Sequence, residues 1–445
     1  MTTLREFADR LRAKQTSVRE ATEECLRRIA ANEPLNAFIL VMADQAREQA
    51  KVLDRELEAG HHRGPLHGVP VSIKDLIDIE GTPTTAASRV REFHLANRDA
   101  PVIAHLRKAG AVFVGKTNLH EFAFGTTNED SAYGPARNPH DQARSPGGSS
   151  GGSAISIVTG MALASVGTDT GGSIRIPAAA CGCVGLKAAY GEVDAAGVVP
   201  LSRTLDHVGP IVSNVADAWL MHQVLRGSDQ IDPIDAPHLR ELRFGILRDY
   251  FCDIVDEDVR TKFERSLDAL RAGGGWSGDA SIPHAALIAP VYMQISFGDA
   301  AAYHAATLET AADLYTQPVR LRLELARTVL AEDYVRALTG REVLRREVDA
   351  ALSGCDALLL PTLPIPAPLI GANSVAIGSK MEPVRPLMLR LTQLFNLTGH
   401  PAISLPCGVT ASGLPIALQI VARDTRTVVR VALAVERALD PASRS

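Results

Sequence analysis

Short apolar runs bounded by turn residues recur along the chain, and segments with helical periodicity separate many of them. Such runs are typical of buried strands. The predicted strands span residues 37–41, 69–73, 111–114, 163–166, 244–247, 358–360, 402–405 and 416–421. The predicted helices span residues 17–31, 43–59, 99–108, 214–225 and 425–439. This alternation predicts an α/β fold built on a largely parallel or mixed sheet.

Residues 283–352 break the alternation. The segment is rich in Ala, Leu, Arg and Glu and has almost no β-branched run, so it predicts helices that form a cap or a flanking region. The sequence contains no internal repeat and no long Pro-rich or Ser-rich linker. We therefore expect a single domain over residues 1–445.

Composition and charge exclude several function classes. The 445 residues carry 46 Lys and Arg against 51 Asp and Glu, a formal net charge of -5, so no overall basic field favours nucleic acid. The N-terminus has acidic residues where a signal peptide would have an apolar core, and the uncharged stretch 147–166 is mostly Gly, Ser and Ala. We expect a cytoplasmic protein that makes no membrane contact. Six scattered cysteines indicate reduced thiols rather than a metal site.

Two segments match known motifs in the wrong structural context. Gly110–Thr117 satisfies the P-loop expression, but the residues between its glycines, Ala-Val-Phe-Val, are typical of a strand and not of a phosphate-binding turn. Gly147–Gly151 satisfies the G-x-S-x-G expression of a nucleophile elbow, but a polar loop precedes it where an elbow would follow a buried strand. We interpret both matches as accidental.

A second Gly-rich segment, Thr168–Pro177, follows a predicted strand. Its consecutive glycines precede Ser173, and backbone N–H groups from Thr170 to Ser173 are suited to line an oxyanion hole. The alternative interpretation is a flexible turn between a strand and a helix.

Lysine is scarce in this chain, and Lys74 stands in an unusual place, at the end of an apolar strand. Burial there would lower its pKa toward a neutral amine that accepts a proton. The alternative is a lysine that extends to water and pairs with Asp75 or Asp78.

Taken together, these segments resemble the amidase signature family, including the group formed by the A subunits of glutamyl-tRNA amidotransferases. The resemblance rests on the motifs at residues 68–75, 147–153, 165–177, 360–362, 395–401 and 413–419. It implies a large mixed, mostly parallel β-sheet flanked by helices on both faces, with a catalytic core over residues 65–200. It also implies a serine-dependent amide hydrolase without a metal or organic cofactor.

The resemblance assigns roles to the residues of these motifs. Ser173 would be the nucleophile, Ser149 the bridging serine on a cis peptide bond, and Lys74 the base. The oxyanion hole would comprise the N–H groups of Thr170, Gly171, Gly172 and Ser173. Supporting residues would be Asp169 and Arg175, paired across the loop, and Ser150, bonded to Lys74 or Ser149.

Substrate recognition is less constrained by the sequence. By resemblance, Phe122, Ala123 and Phe124 line an acyl pocket and Leu389 with Arg390 forms another wall; the alternative places the phenylalanines in the core. Small amides, anilides, esters and carbamates are all candidate substrates. A homodimer is plausible.

Two other functions stay open. The chain resembles the glutaminase subunit of a tRNA-dependent amidotransferase, but that subunit has an acidic residue three positions before the Thr of a Thr-x-Pro-x-Asn stretch, where this chain has Leu389 before Thr392. A family member that kept the fold and lost activity is the third hypothesis, and the presence of all three reactive side chains argues against it.

Overall fold

The computed structural model describes residues 2–228 and 230–439. Its strands are β1 (Phe38–Val41), β2 (Pro70–Lys74), β3 (Val112–Thr117), β4 (Ala164–Asp169), β5 (Val184–Lys187), β6 (His207–Val212), β7 (Arg243–Leu247), β8 (Trp276–Ala280), β9 (Ala357–Pro361), β10 (Ser374–Ile377), β11 (Lys380–Pro383), β12 (Ala402–Val409) and β13 (Pro415–Val421). Eleven of these strands form one sheet, in the order β1-β3-β2-β4-β6-β5-β12-β13-β9-β7-β8, and β10 pairs with β11.

The α-helices of the described residues are α1 (Leu4–Arg12), α2 (Val18–Ala31), α3 (Ala43–Glu58), α4 (Pro101–Lys108), α5 (Gly151–Val158), α6 (Arg175–Cys181), α7 (Val215–Leu225), α8 (Glu257–Ala272), α9 (Ile288–Thr310), α10 (Gln317–Ala326), α11 (Ala331–Leu352), α12 (Val384–Leu389), α13 (Leu394–Leu397) and α14 (Thr425–Leu439). None of these helices has the length and apolar character that crossing a bilayer requires. Helices α9, α10 and α11 occupy most of residues 283–352, and the role of that segment as a cap stays a prediction.

Helices cover both faces of the sheet, as predicted. Alternate strand residues belong to two different cores: Leu359 of β9 is part of the core that includes residues of α3, α4, α7, α8 and α14, whereas Leu358 and Leu360 are part of the core that includes residues of α6, α9 and α11. Ile73 and Lys74 are successive residues of β2, so their side chains point to opposite faces of the sheet. Ile73 belongs to the core that contains Leu359. Lys74 therefore points to the opposite face, where β2 contacts α5.

The prediction of a large mixed sheet is confirmed, but the expectation that it is mostly parallel is wrong. Four of the ten neighbouring strand pairs are parallel, β2 with β3, β2 with β4, β7 with β8 and β7 with β9, and the other six are antiparallel. The reason lies in the connections. A parallel pair needs a long crossover, whereas β12 and β13 are joined directly as a hairpin and β5 reaches β6 without an intervening helix.

Candidate active site

Lys74 is the last residue of β2, a strand with neighbours on both sides, and its side chain is fully buried. Its Nζ donates hydrogen bonds to Ser149 Oγ at 2.7 Å and to Thr168 Oγ1 at 2.8 Å. The alternative partner Asp75 instead pairs with the buried Lys116, at 3.0 Å. The alternative interpretation, in which Lys74 extends to water and pairs with Asp75 or Asp78, is therefore wrong.

Burial lowers the pKa of Lys74 from its usual value to about 7. Removing an ammonium from water disfavours its charged form, and the negative charges of Asp169 and Asp206 only partly oppose this effect. At neutral pH a substantial fraction of Lys74 is thus an uncharged amine, the form that accepts a proton.

Ser149 lies in the loop before α5, and the Gly148–Ser149 peptide bond is cis. The backbone brings this loop against the nucleophile candidate, because the N–H of Ser150 donates to the carbonyl of Ser173 at 3.2 Å. Among the described residues, no hydrogen bond joins the hydroxyls of Ser149 and Ser173. Lys74 and Ser149 are thus in direct contact, whereas Ser173 is held beside them through its main chain.

Ser150 differs from the expectation that it contacts Lys74 or Ser149. Its hydroxyl donates to the backbone carbonyl of Thr168 at 3.2 Å and accepts from the N–H of Thr168 at 3.4 Å. The side chain therefore ties the Ser149 loop to the end of β4, a strand to which Lys74 also donates through Thr168.

The segment between β4 and α6 carries Ser173, which is 5% exposed. Within the described part of the chain, the backbone hydrogen bonds include none donated by the N–H groups of Gly171, Gly172 or Ser173. Three consecutive donors without a protein acceptor are suited to stabilise a developing oxyanion. Gly172 has φ of +143°, a conformation that residues with a Cβ rarely adopt.

Two side chains close over Gly171 on its outer side. A Cβ at Gly171 would lie 2.7 Å from Cζ of Tyr292 and 3.0 Å from Cδ2 of Leu389. Glycine fits here because the side chains of Tyr292 on α9 and Leu389 on α12 approach the Gly171 backbone so closely. Leu389 thus lies against the loop that carries Ser173, and Tyr292 is a neighbour that sequence reasoning missed.

Asp169 and Arg175 form the pair expected across the loop, with Arg175 Nη2 2.9 Å from Asp169 Oδ1 and both side chains fully buried. Arg175 also donates to Gln419 Oε1 at 2.6 Å and to Asn396 Oδ1 at 2.7 Å. The pair is therefore anchored to β13 and α13, and the charge of Arg175 keeps the pKa of Asp169 below its usual range. A network saturated with hydrogen bonds holds the loop in one geometry.

Asp206 is a second residue that the sequence did not indicate. It accepts from Thr170 Oγ1 at 2.5 Å and from the N–H groups of Leu201 and Ser202. Burial raises its pKa to about 6, against the influence of these hydrogen bonds. The carboxyl belongs to the loop before β6, and no motif in its neighbourhood marks it.

The predicted acyl-pocket residues fall in an aromatic cluster. Phe122 packs against His304 and Tyr315, with ring centroids 4.4 and 5.5 Å apart, and Phe124 packs against Phe297 at 5.3 Å. Phe122, Ala123 and Phe124 are all buried. Their contacts satisfy the core alternative, and a role as an acyl pocket stays a prediction.

Arg390 points elsewhere. Its guanidinium lies 3.7 Å from the ring centroid of Tyr250, and Nη2 donates to the Tyr250 carbonyl at 2.7 Å. The buried Nε of Arg390 makes no hydrogen bond, but the stacking on Tyr250 and the bond from Nη2 are structural contacts. Arg390 thus fastens α12 to the Tyr250 loop instead of facing Gly171 with Leu389, and a pocket wall formed by Leu389 stays a prediction.

Comparison with known proteins agrees with this geometry. A family model described as Amidase matches residues 20–427. The chain is 40% identical to the A subunit of a glutamyl-tRNA(Gln) amidotransferase from Anaeromyxobacter sp. (strain K) and 40% identical to an amidase from Pseudomonas putida, in each case over 98% of this chain and 96% of the relative. A solved structure described as a crystal structure of amidase superposes with a TM-score of 0.93 at 37% identity, covering 98% of this chain and 99% of the other. The chain belongs to the amidase signature family and is an amide hydrolase.

Proposed function

We propose that the chain hydrolyses small amides through an acyl-enzyme on Ser173, with Ser149 as the relay and Lys74 as the base. The observation that carries this proposal is the buried Lys74 amine, which contacts Ser149 Oγ at 2.7 Å and has a pKa of about 7. A serine hydroxyl is a weak nucleophile at neutral pH and needs a positioned base. An uncharged amine in contact with a second hydroxyl supplies one.

Acylation requires Ser173 to donate a hydrogen bond to Ser149 Oγ, a contact that the two hydroxyls do not make in this structure and that substrate binding has to bring about. Lys74 then accepts the Ser149 proton while Ser149 Oγ accepts that of Ser173. Ser173 Oγ then bonds to the amide carbon, and the carbonyl electrons move to oxygen. The N–H groups of residues 170–173 stabilise this oxyanion, an interaction worth about 3 kcal/mol per donor. The C–N bond breaks as the leaving nitrogen takes a proton from Ser149, which Lys74 then reprotonates.

Deacylation uses the same relay with water as the nucleophile. Water transfers a proton through Ser149 to Lys74 and attacks the acyl carbon. The bond to Ser173 Oγ then breaks as this oxygen takes a proton from Ser149, which Lys74 reprotonates. The products are a carboxylic acid and the free serine. Each proton that Lys74 receives is returned within the cycle, so the net reaction is amide hydrolysis.

A glutaminase subunit of a tRNA-dependent amidotransferase is the alternative, favoured by the 40% identity to a protein of that kind. The side chain of Leu389 opposes it. Leu389 is buried and lies against Gly171, where the resemblance would place a carboxylate for the amino group of glutamine. An apolar side chain cannot pair with an ammonium group.

Covalent labelling tests the assignment of the nucleophile. We expect a fluorophosphonate to modify Ser173, as located by peptide mass spectrometry, and we expect the Ser173→Ala variant to remain unlabelled. Turnover of a panel of aliphatic amides, anilides, esters and carbamates should disappear in the same variant. Labelling of another serine, or undiminished turnover by Ser173→Ala, would contradict the mechanism.

Ammonia release from glutamine separates the two functions. The proposed stand-alone hydrolase acts on small amides as the purified chain. Protein that releases ammonia only from glutamine, and only after addition of the other amidotransferase components, would establish the alternative.

A further inference from the structure

Arg385 of α12 is a cation without a carboxylate partner in the described part of the chain. Its Nε atom is buried and makes no hydrogen bond. Its guanidinium carbon lies 5.6 Å from the ring centroid of Phe124 and 5.8 Å from that of Phe297. Cation–π contact with two rings offsets only part of the cost of removing a guanidinium from water.

The contacts of Arg385 place it beside the predicted acyl pocket, because its guanidinium faces the rings of Phe124 and Phe297. Its charge also acts on Tyr292, whose pKa it lowers against the effect of burial. Tyr292 in turn packs directly over Gly171, in the loop that carries Ser173. The unpaired cation therefore belongs to the surroundings of Phe124 and Tyr292, next to the proposed oxyanion hole.

The neighbouring charges do not neutralise it. Arg322 adds a second cation, with its guanidinium 5.4 Å from the Phe124 ring centroid, and it donates to the Phe124 carbonyl. The charge of Asp130 acts on Arg322, and this carboxylate lies 3.1 Å from His120 Nε2. Burial lowers the pKa of Arg385, and no carboxylate of the described residues contributes an opposing effect.

We propose that Arg385 binds an anionic group, a carboxylate, on the acyl part of the amide substrate. The preferred substrates are then monoamides of short dicarboxylic acids. A planar guanidinium with free donors matches a carboxylate in geometry and charge. Leu389 excludes a substrate ammonium group from the same wall, so the acyl chain carries negative charge and no amino group. This inference rests on the proposed amide hydrolysis.

Matched pairs of substrates test the proposal. Succinamate and butanamide have the same carbon skeleton and differ in the carboxylate, as do glutaramate and pentanamide. We expect the wild-type chain to favour the anionic member of at least one pair in kcat/KM by roughly 30-fold or more, the factor that corresponds to about 2 kcal/mol for a buried charge pair. In Arg385→Met the preference should vanish, while the neutral amides retain their turnover.

Two further variants control for charge and folding. Arg385→Lys should restore part of the preference because it keeps the cation. Arg320→Met removes one positive charge from the exposed side of α10, where Arg320 pairs with Glu324 and Asp313, and should leave the preference unchanged. Thermal unfolding of each variant identifies any loss of fold. Competitive inhibition by succinate measures binding without turnover, and it should weaken most in Arg385→Met, less in Arg385→Lys and not in Arg320→Met.

The outcomes distinguish a failure of the proposed role of Arg385 from a failure of the proposed amide hydrolysis. Equal kcat/KM for both members of each pair in the wild type, with turnover dependent on Ser173, overturns the role of Arg385 and leaves the hydrolase intact. An equal decrease for neutral and anionic amides in Arg385→Met also overturns it, because a merely structural residue behaves in that way. Turnover that survives Ser173→Ala refutes the proposed mechanism instead.

Discussion

Arg175 holds Asp169 through two parallel hydrogen bonds, from Nε to Oδ2 at 3.0 Å and from Nη2 to Oδ1 at 2.9 Å. Oδ2 also accepts the N–H of Ile174 at 3.1 Å, directly after the nucleophile candidate. The pair therefore acts on the backbone that presents Ser173 and on the first turn of α6 at once.

We expect Arg175→Met to destabilise the protein by about 3–5 kcal/mol, because it leaves the buried Asp169 carboxylate without its cation. Urea denaturation measures the change. The exposed pair of Arg12 and Asp9 on α1 is the matched control, and Arg12→Met should cost less than about 1 kcal/mol. Equal effects of the two substitutions would show that burial does not determine the strength of these pairs.

The pH profile of hydrolysis reports the protonation of Lys74. Its pKa is lowered to about 7, and the base acts in its neutral form, so kcat/KM should rise as pH increases through about 7 and level off above it. Lys74→Ala should lose about 10²–10⁴ of the rate. A rate that does not change with pH across the neutral range, or near-normal turnover by Lys74→Ala, would argue against Lys74 as the base.

The charge of Asp206 provides an independent test of the same group. Asp206 raises the pKa of Lys74, so Asp206→Asn should lower that pKa and move the acidic limb of the kcat/KM profile to lower pH. The amide oxygen of Asn can still accept from Thr170. Movement of the limb to higher pH, or no movement with the fold intact, would contradict this coupling.

Substitution of Gly171 tests how tightly the loop that carries Ser173 packs against Tyr292. Gly171→Ala places a methyl group 2.7 Å from Tyr292 Cζ, an overlap that should cost about 1–3 kcal/mol of stability and most of the hydrolytic activity. A Cβ at Gly354 would have no atom within 4 Å, and the backbone there has no positive φ, so Gly354→Ala is the control. Full activity in Gly171→Ala would mean that the loop yields without disturbing the proposed oxyanion hole.

Local pattern predicted most of the strands that build the centre of the sheet, but not β5, β6 or β8. Strand β6 contains a Gly-Pro pair within His207–Val212, and β8, Trp276–Ala280, has polar residues and exposed side chains. Both sequences lack the apolar run that marks a buried strand. Their strand geometry comes from pairing with neighbours, β6 with β4 and β5, and β8 with β7.

Motif and spacing predicted the candidate site residues that lie in short segments of characteristic composition. The Gly-rich loop around Ser173 and the lysine at the end of β2 are examples, since a strand end and a run of small residues are properties of short segments. The amidase family membership was also readable at this level. Ser150 was the exception, because its partner depends on the packing of the loop against β4.

The amino-acid sequence by itself determined the family and the α/β class and predicted the reactive side chains, because these follow from contiguous pattern. Only the tertiary structure decided which distant groups surround them. Tyr292 of α9 packs over Gly171, Asp206 of the loop before β6 accepts from Thr170, and Arg385 of α12 lies against the rings of Phe124 and Phe297. Such contacts depend on distances in space, and no local pattern encodes them.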